Sequence, residues 1–310
     1  DLLMQALPGR AITATPDPRQ LLTDELRAVA KRLGRPLRAI ALIENTDFTT
    51  GTDEFQELAA YFTRRGLKAV VADPRALRLS RGELLAGRAP VDLLYRDSEL
   101  AEFVDMERRG RRLVALRQAI REGRLISGLT WEFDQKSAWE IFTDEAYARH
   151  FTASQRRLFR EHVLWTRLVR EAAVTDPAGR RVDLPAFIQR NRARLVLKPN
   201  ALFGGEGVAI GPTVSQGAWE RALSKALRAC LSPSGDGRQG RERYVVQQLA
   251  RIPTDAFPLL ADGGARWTER CVVSGFFFSS SGIGLVGRFS GLPVVNVSRG
   301  GGLIPALWVH

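Results

Sequence analysis

The stretch Leu195-Val-Leu-Lys-Pro-Asn-Ala-Leu-Phe-Gly-Gly-Glu-Gly-Val-Ala-Ile-Gly211 decides how this chain is interpreted. Its first three residues predict a buried strand that ends at Lys198, and a loop with Gly204, Gly205 and Gly207 precedes a second short apolar run. Glycine lets backbone N–H groups approach phosphate oxygens closely, and a lysine at a strand end supplies a positive charge. The pattern therefore predicts a nucleotide triphosphate site. The alternative is a β-hairpin with a glycine turn and a surface lysine.

The composition is that of a globular protein. The chain has 310 residues, of which 45% are hydrophobic and 26% are charged, and this length suggests about two domains. No apolar run reaches the ~20 residues that a membrane helix needs, so no membrane association is predicted. Only two cysteines are present, Cys230 and Cys271, which favours a reducing compartment and a cytoplasmic location. Because the chain begins with Asp1 rather than Met, we expect further sequence upstream.

The net charge of +12 raises the question of a polyanionic partner. Arginines cluster at 64–65, 108–112 and 156–160, but acidic residues are interleaved with them and no aromatic residues alternate with the basic ones. Solvated helix faces are therefore the favoured explanation, and no nucleic-acid partner is expected. Binding of nucleic acid through the arginine excess is the alternative.

Strand and helix patterns alternate in the N-terminal third of the chain. Buried strands are predicted at 38–43, 68–72, 91–95 and 125–129, and helices at 53–63 and 98–121. Such alternation predicts a parallel sheet in a Rossmann-like domain. Ligands on these sheets bind beyond the carboxyl ends of the strands, where Glu44, Asn45, Arg96 and Asp97 are placed to line a crevice.

The rest of the chain changes character twice. Helices are predicted at 137–147, 153–171 and 184–191. From Leu195 onward an α+β pattern follows, with a helix at 216–230 and strands near Leu195, Glu206, Tyr244, Cys271, Leu285 and Val294. The predicted fold is α/β, with a Rossmann-like substrate domain at 1–130 and nucleotide-binding lobes at 131–310. Residues 131–192 form the helical lead-in to those lobes.

Two formal motifs fail in their context. Gly282-Ile-Gly-Leu-Val-Gly287 matches the dinucleotide fingerprint, but the residues after it cannot open the helix that this fingerprint needs. The histidines, His150, His162 and His310, are too scattered for a zinc site or a nucleophile–base pair.

Further elements accompany the glycine loop. Lys136 begins a predicted helix, and Tyr244-Val-Val-Gln-Gln-Leu249 predicts a strand with paired carboxamides that could bind an adenine edge. Arg288 lies on a late strand, before a loop that ends in three glycines at 300–302. Each element also has an ordinary explanation, such as a capping lysine, a polar edge strand, a surface arginine or a turn.

In order and spacing these elements resemble the circularly permuted ATP-grasp family, type 2, the group similar to glutathionylspermidine synthetase. The resemblance runs from about Arg38 to the end of the chain. It is carried by Val91-Asp-Leu-Leu-Tyr-Arg96, Asp134-Gln-Lys136-Ser-Ala, His162-Val-Leu-Trp-Thr166, Val196-Leu-Lys-Pro199, Phe203-Gly-Gly-Glu-Gly-Val208, Tyr244-Val-Val-Gln-Gln248, Arg288 and Val294-Val-Asn-Val-Ser-Arg-Gly-Gly-Gly302. The resemblance implies an ATP-grasp-like architecture.

The resemblance also implies an ATP site. In the family, two lysines equivalent to Lys136 and Lys198 contact the ATP phosphates, and the glycine loop folds over them. The strand that holds adenine corresponds to Gln247, Gln248 and Leu249, with Gln248 standing where the family commonly has a glutamate.

Magnesium is the second group that the resemblance implies. ATP-grasp enzymes hold Mg²⁺ with carboxylates and an asparagine, often as Glu-x-Asn, and these 310 residues contain no such triplet. Glu206 and Asn296 are the candidate metal ligands within the chain. The acidic motif of the permuted members is expected upstream of Asp1.

The activity implied is that of an ATP-dependent carboxylate–amine ligase, which forms a peptide or amide bond through an acyl phosphate and releases ADP. The expected substrates are a small-molecule or peptide carboxylate and an amine. Arg288 is the candidate for stabilising the transferring phosphoryl group or anchoring the carboxylate, and Arg96 for binding the acidic substrate. For Arg96, a helix cap or an ion pair between domains is the alternative. For the whole chain, the alternative is a catalytically degenerate scaffold or partner protein with the same fold.

Overall fold

The computed structural model describes residues 12–47, 54–128, 135–202, 204–231, 243–261, 264–293, 295, 300–304 and 306–309. Its α-helices are α1 Pro18–Arg32, α2 Glu54–Arg64, α3 Leu100–Arg108, α4 Val114–Arg121, α5 Ala138–Thr143, α6 Ala153–His162, α7 Leu184–Arg190 and α8 Gln216–Leu231. Short 3-10 helices cover Pro74–Ala76, Glu145–His150, Arg192–Arg194 and Gly211–Thr213. No helix in the described ranges is both long and apolar enough to span a bilayer.

The strands follow in the same chain order. They are β1 Ile12–Ala14, β2 Ala39–Ile43, β3 Lys68–Ala72, β4 Leu77–Ser80, β5 Glu83–Ala86, β6 Ala89–Pro90, β7 Leu93–Arg96, β8 Leu125–Ile126, β9 Thr166–Leu168, β10 Ala173–Thr175, β11 Arg181–Asp183, β12 Leu195–Pro199, β13 Ala209–Ile210, β14 Tyr244–Gln248, β15 Thr254–Ala261, β16 Gly264–Ser279, β17 Gly282–Ser290, β18 Gly302–Ile304 and β19 Leu307–Val309.

Two compact units divide the chain. The first comprises residues 1–129, 274–288 and 303–310, and the second comprises residues 130–273 and 289–302. The sequence predicted two consecutive regions that meet near residue 130. The structure differs in the C-terminal part, because two segments beyond residue 273 belong to the first unit.

Long-range contacts explain this return of the chain to the first unit. Strand β19 pairs antiparallel with β1, in the register Ile12↔Val309 to Ala14↔Leu307. Ser280 donates a hydrogen bond of 2.5 Å to the Glu25 carboxylate. At Gly284 a Cβ would lie 3.0 Å from Pro18 Cγ, so the strand packs closely on the start of α1. Partners this far apart in sequence leave no signal in a local pattern.

The first unit is built on a parallel sheet with the order β3-β2-β7-β8. Successive side chains of β2 point to opposite faces, and both faces are covered. Ile40 and Leu42 pack in one core with residues of α1 and α2, while Ala41 and Ile43 pack in another with residues of α3 and α4. The prediction of a parallel α/β sheet is confirmed. A small antiparallel meander, β4-β5-β6, lies between β3 and β7 in the chain and was not predicted.

The helices predicted at 98–121 and 153–171 are not continuous in the structure. The helix predicted at 98–121 is two helices, α3 and α4, separated at Gly110, which has φ 81°. The helix predicted at 153–171 ends at His162, and the chain then enters strand β9. Pairing of β9 with β14, which includes Val245↔Leu168, outweighs the helical periodicity of these residues.

The second unit contains an antiparallel sheet with the order β13-β12-β14-β9. Helices α7 and α8 cover one face of it, around a core in which Trp219 and Leu197 are fully buried. The indole N–H of Trp219 donates to the Ile188 carbonyl at 3.2 Å, which ties α8 to α7. Because Leu197 points to the face that these helices cover, its neighbour Lys198 points to the other face.

Strands β10 and β11 form a two-stranded sheet, and a further sheet has the order β15-β16-β17-β18. Strand β15 pairs with the beginning of β16, from Thr254↔Cys271 to Ala261↔Gly264. The glycines of the rejected dinucleotide motif lie within β17, and no helix follows them among the residues that the structure describes, which confirms that rejection. Part of the chain predicted as a strand near Val294 lies outside the described residues.

Candidate functional site

Lys198 projects from β12 on the face of the sheet that α7 and α8 leave open. Its neighbour Leu197 points into the core, and the alternation along a strand directs Lys198 the other way. The Lys198 ammonium donates to the Gln247 side-chain oxygen at 2.8 Å, and the Gln247 amide donates to the Thr166 hydroxyl at 2.9 Å. Burial lowers the pKa of Lys198, since a desolvated ammonium loses its hydration.

Lys136 is attached to the segment that directly follows Lys198. Its ammonium donates to the backbone carbonyls of Leu202 at 2.7 Å and Asn200 at 3.2 Å. Its backbone N–H also donates to the Asn200 carbonyl at 3.1 Å, and the Ser137 N–H donates to the Asn200 side-chain oxygen at 2.7 Å. The start of the helical lead-in is therefore anchored at the root of the glycine loop.

The glycine loop has the conformation that its composition predicts. Gly204, Gly205 and Gly207 have φ values of 70°, 77° and 65°, in the left-handed region that side chains disfavour. At Gly207 a Cβ would lie 2.8 Å from the Pro199 ring, so the loop folds back closely on the end of β12. Phe203 lies outside the described residues. The expected side-chain-free loop thus exists beside the strand that carries Lys198.

The predicted adenine-binding residues, Gln247, Gln248 and Leu249, do not point to one side of the sheet. Gln247 faces Lys198, and therefore the side chain of Gln248 points to the opposite face of the sheet. The Gln248 side chain is exposed, and its backbone N–H donates to the Trp165 carbonyl at 2.9 Å. Leu249 lies just past the strand, with its N–H bound to the Arg194 carbonyl at 2.8 Å. The two glutamine side chains therefore lie on opposite faces of the sheet, and the assignment of Gln247, Gln248 and Leu249 to adenine stays a prediction.

The donor set for magnesium does not fit in the described part of the chain. Glu206 is exposed on the glycine loop, and Asn296 lies outside the described residues. Among the residues that the structure describes, no group of three or more His, Cys, Asp or Glu side chains could hold a metal ion. We therefore assign no chemical step to a metal here.

The two predicted catalytic arginines belong to the first unit. Arg288 is exposed on β17, at the end of the segment 274–288. Its role in catalysis stays a prediction.

Arg96 has structural partners. It is 9% exposed at the end of β7, and its guanidinium donates to three backbone carbonyls, those of Ser127 and Gly128 at 2.7 Å and of Ser98 at 2.8 Å. These bonds hold the chain after β8 against the chain after β7. These contacts give the guanidinium a structural role, and its predicted role in binding an acidic substrate stays a prediction.

The carboxyl ends of β2 and β7 bring two acidic residues together. Burial, and then the neighbouring charge of Asp97, raise the pKa of Glu44. Asn45, which follows, is 5% exposed and donates to the Glu102 carboxylate at 2.8 Å. Asn45 is therefore a structural residue, and the edge predicted as a ligand crevice carries negative charge.

Sequence reasoning missed Asn200 and Thr166. Asn200 is 3% exposed and joins the lead-in to β12, because its side-chain amide also donates to Gln135 at 3.0 Å. Its position directly after the Lys-Pro pair at the strand end was the available signal. Thr166 lies on β9, inside a predicted helix, so no signal placed it near Gln247.

Comparisons with known proteins find distant structural similarity alone. No family model and no curated protein matches the chain. Among solved structures, the apo form of a glutathione synthetase like-effector, GSS30 from Globodera pallida, matches with 10% identity and a TM-score of 0.44. The match covers 87% of this chain and 52% of that one, so the chain spans about half the length of this structure.

Proposed function

We propose that this protein is an ATP-dependent carboxylate–amine ligase of the ATP-grasp type, with circularly permuted domains. The observation that carries the proposal is that Lys136 is hydrogen-bonded to the strand–loop segment that carries both Lys198 and the glycine loop. Lys136 binds the carbonyls two and four residues after Lys198, and the loop with three left-handed glycines begins directly afterwards.

The chemistry of these groups suits a triphosphate. A partly desolvated ammonium gains more from an anionic phosphate than a solvated one does, because its charge is less screened. The backbone N–H groups of a glycine loop can point at phosphate oxygens without obstruction by a Cβ. On arrival of ATP, the Lys198 ammonium would exchange its bond with Gln247 for a phosphate oxygen.

In the proposed reaction the protein mainly positions the reacting groups and neutralises phosphate charge. A substrate carboxylate attacks the γ-phosphate, ADP leaves, and the amine then displaces phosphate from the acyl phosphate. Lys136 and Lys198 would offset the phosphate charge, and the glycine loop would exclude water from the acyl phosphate. We propose that the carboxylate belongs to a small molecule or a peptide. The identity of the amine is unassigned.

Nucleotide binding by the full-length protein tests the phosphate site. Fluorescence titration with a 2′(3′)-O-methylanthraniloyl derivative of ATP should give saturable binding to the wild type. We expect the Lys198→Met variant to bind about 10- to 150-fold more weakly, the loss that one charge-assisted hydrogen bond gives. Lys31→Met is the matched control, because Lys31 is exposed in the last turn of α1, and should bind as the wild type does.

Release of ADP tests the reaction itself. With mixtures of amino acids and polyamines as acceptors, the wild type should release ADP and the Lys198→Met variant should not. Equal affinity of the wild type and Lys198→Met for the nucleotide would overturn the phosphate site. Tight binding that never yields ADP with any acceptor would favour the alternative, a degenerate scaffold with the same fold.

A further inference from the structure

A cavity lies in the second unit, away from the Lys198 face. Its volume is 310 Å³, and it is lined by the helical segment 141–163, by Trp165, by the turn 175–179 and by Gln248. Gln247 faces Lys198, so its neighbour Gln248 marks the opposite side of the sheet. The proposed nucleotide site does not use this cavity.

The apolar wall of the cavity is aromatic. Phe142 and Phe159 have ring centroids 4.9 Å apart, and Phe151 packs edge-on against Phe159 at 5.0 Å. Trp165 completes the wall and is held in place by a hydrogen bond of 2.8 Å from its indole N–H to the Thr175 carbonyl. Flat, rigid surfaces of this kind favour a planar ligand, because rings stack on them at little cost in entropy.

Most of the carboxylates that line the cavity are neutralised by arginines. Asp144 and Asp176 are paired with Arg167 at 3.5 Å and Arg180 at 2.8 Å, respectively, so their charges are offset from outside the cavity. Glu145 is the remaining carboxylate of the lining.

Two arginines of α6 oppose that single carboxylate. Arg156 and Arg160 both line the cavity and stand four residues apart on one helix face. In the described part of the chain, neither guanidinium has a carboxylate within ion-pair distance. Two like charges at this spacing repel each other, and an anion between them would relieve that repulsion. The cavity therefore has an excess of one positive charge, two arginines against Glu145.

We propose that this cavity binds a compact aromatic carboxylate. The carboxylate would lie between the forks of Arg156 and Arg160, whose geometry matches it, and the ring would lie against the phenylalanines and Trp165. The exposed amide of Gln248 offers a further polar contact at the rim. Since small-molecule pockets begin at about 300 Å³, the volume suits a ligand of one or two rings.

Isothermal titration calorimetry with 1-naphthoate tests the proposal on the full-length protein. We expect saturable binding at one site, and binding of the neutral analogue 1-naphthalenemethanol at least about 10-fold weaker, since it cannot form an ion pair with the arginines. The double variant Arg156→Gln/Arg160→Gln should also lose about 10-fold or more in affinity for naphthoate. Both side chains are exposed, so this variant should fold, which its thermal melt would verify.

Arg157→Gln is the matched control. Arg157 lies between the two arginines on α6 but does not line the cavity, and it stands 3.9 Å from Glu161. It should leave the affinity for naphthoate unchanged. Equal affinities for naphthoate and its neutral analogue, unchanged binding by the double variant, or no heat at millimolar naphthoate would each overturn the proposal. Displacement of naphthoate by ATP would overturn the independence of the cavity.

Discussion

In this protein, what a charged side chain can bind depends on the groups that surround it. Arg96 and Lys198 both stand at or near the end of a buried strand, and both were predicted to bind an anion. Three backbone carbonyls surround the guanidinium of Arg96, whereas the ammonium of Lys198 has the exchangeable side chain of Gln247 beside it. Both predictions came from a basic residue at a strand end, so only the local hydrogen-bond partners distinguish the two side chains.

Asp73 provides a test of stability at the residue scale. Burial opposes its ionisation, but hydrogen bonds from Arg75 and Thr46 outweigh burial and lower the pKa of Asp73 from 3.8 to about 2. A carboxyl group whose pKa is lower in the folded state stabilises the fold above its unfolded pKa, and the benefit disappears as the pH falls from about 4 to 2. We expect Asp73→Asn to cost about 2 kcal/mol of unfolding free energy at pH 7 and to flatten the pH dependence in that window.

Urea denaturation at a series of pH values would measure this effect. Asp105→Asn is the control, because Asp105 forms a surface pair of 2.6 Å with Arg109, the residue that follows α3. Exposed pairs of this kind contribute about 0–1 kcal/mol. A loss of the same size in the two variants would show that the hydrogen bonds to Asp73 have no special weight.

At the scale of elements, the glycine loop and strand β12 before it form one structural element. Strand β12 is held on both sides by β13 and β14, so Lys198 and Pro199 are fixed in position. The loop that follows is shaped by left-handed glycines and by the close approach of Gly207 to Pro199. The stretch that predicted this element is local in sequence, and the structure confirms the strand and the loop because both follow from local conformational preferences.

Gly207→Ala tests the loop as an element. The new Cβ would meet the Pro199 ring at 2.8 Å, on a residue with φ 65°. We expect a loss of about 1–2 kcal/mol of stability from the left-handed conformation and, in addition, at least about 10-fold weaker binding of the ATP analogue as the loop is displaced.

Gly179→Ala is the matched control for this prediction. Gly179 has φ 80° in the turn between β10 and β11, and no atom lies within 4 Å of a Cβ built there. Its stability should fall by a similar amount with no change in nucleotide affinity. If Gly207→Ala binds the nucleotide as tightly as Gly179→Ala does, the loop has no part in holding phosphate.

At the scale of the whole molecule, the predicted site residues are divided between the two compact units. Lys136, Lys198 and the glycine loop all belong to the second unit, whereas Arg96 and Arg288 belong to the first. The proposed phosphate site is thus made within one compact unit and uses no residue of the parallel sheet.

Hydrogen–deuterium exchange with and without Mg·ATP tests this grouping. At a ligand concentration about 100-fold above Kd, binding stabilises the bound state by about 2.7 kcal/mol. Exchange of the amides of residues 198–208 should therefore slow by up to about 100-fold. Amides of β2, in the parallel sheet, should keep their rates. Protection of β2 equal to that of residues 198–208 would contradict a phosphate site built from the second unit alone.

The sequence by itself determined the features that arise from short-range physics. Period-two and period-3.6 patterns predicted the parallel strands and most helix positions, because each element must bury its own apolar face. The glycine loop after Lys198 was equally visible, since the backbone freedom of glycine is a property of the residue itself.

The tertiary structure alone decided which distant segments meet. It returned residues 274–288 and 303–310 to the first unit, turned part of a predicted helix into β9, and placed the side chains of Gln247 and Gln248 on opposite faces of the sheet. It also requires glycine at position 211, where a Cβ would lie 1.8 Å from the Arg192 carbonyl oxygen. These outcomes depend on strand pairing and packing between residues far apart in the chain, and the free energy of such contacts is absent from any local pattern.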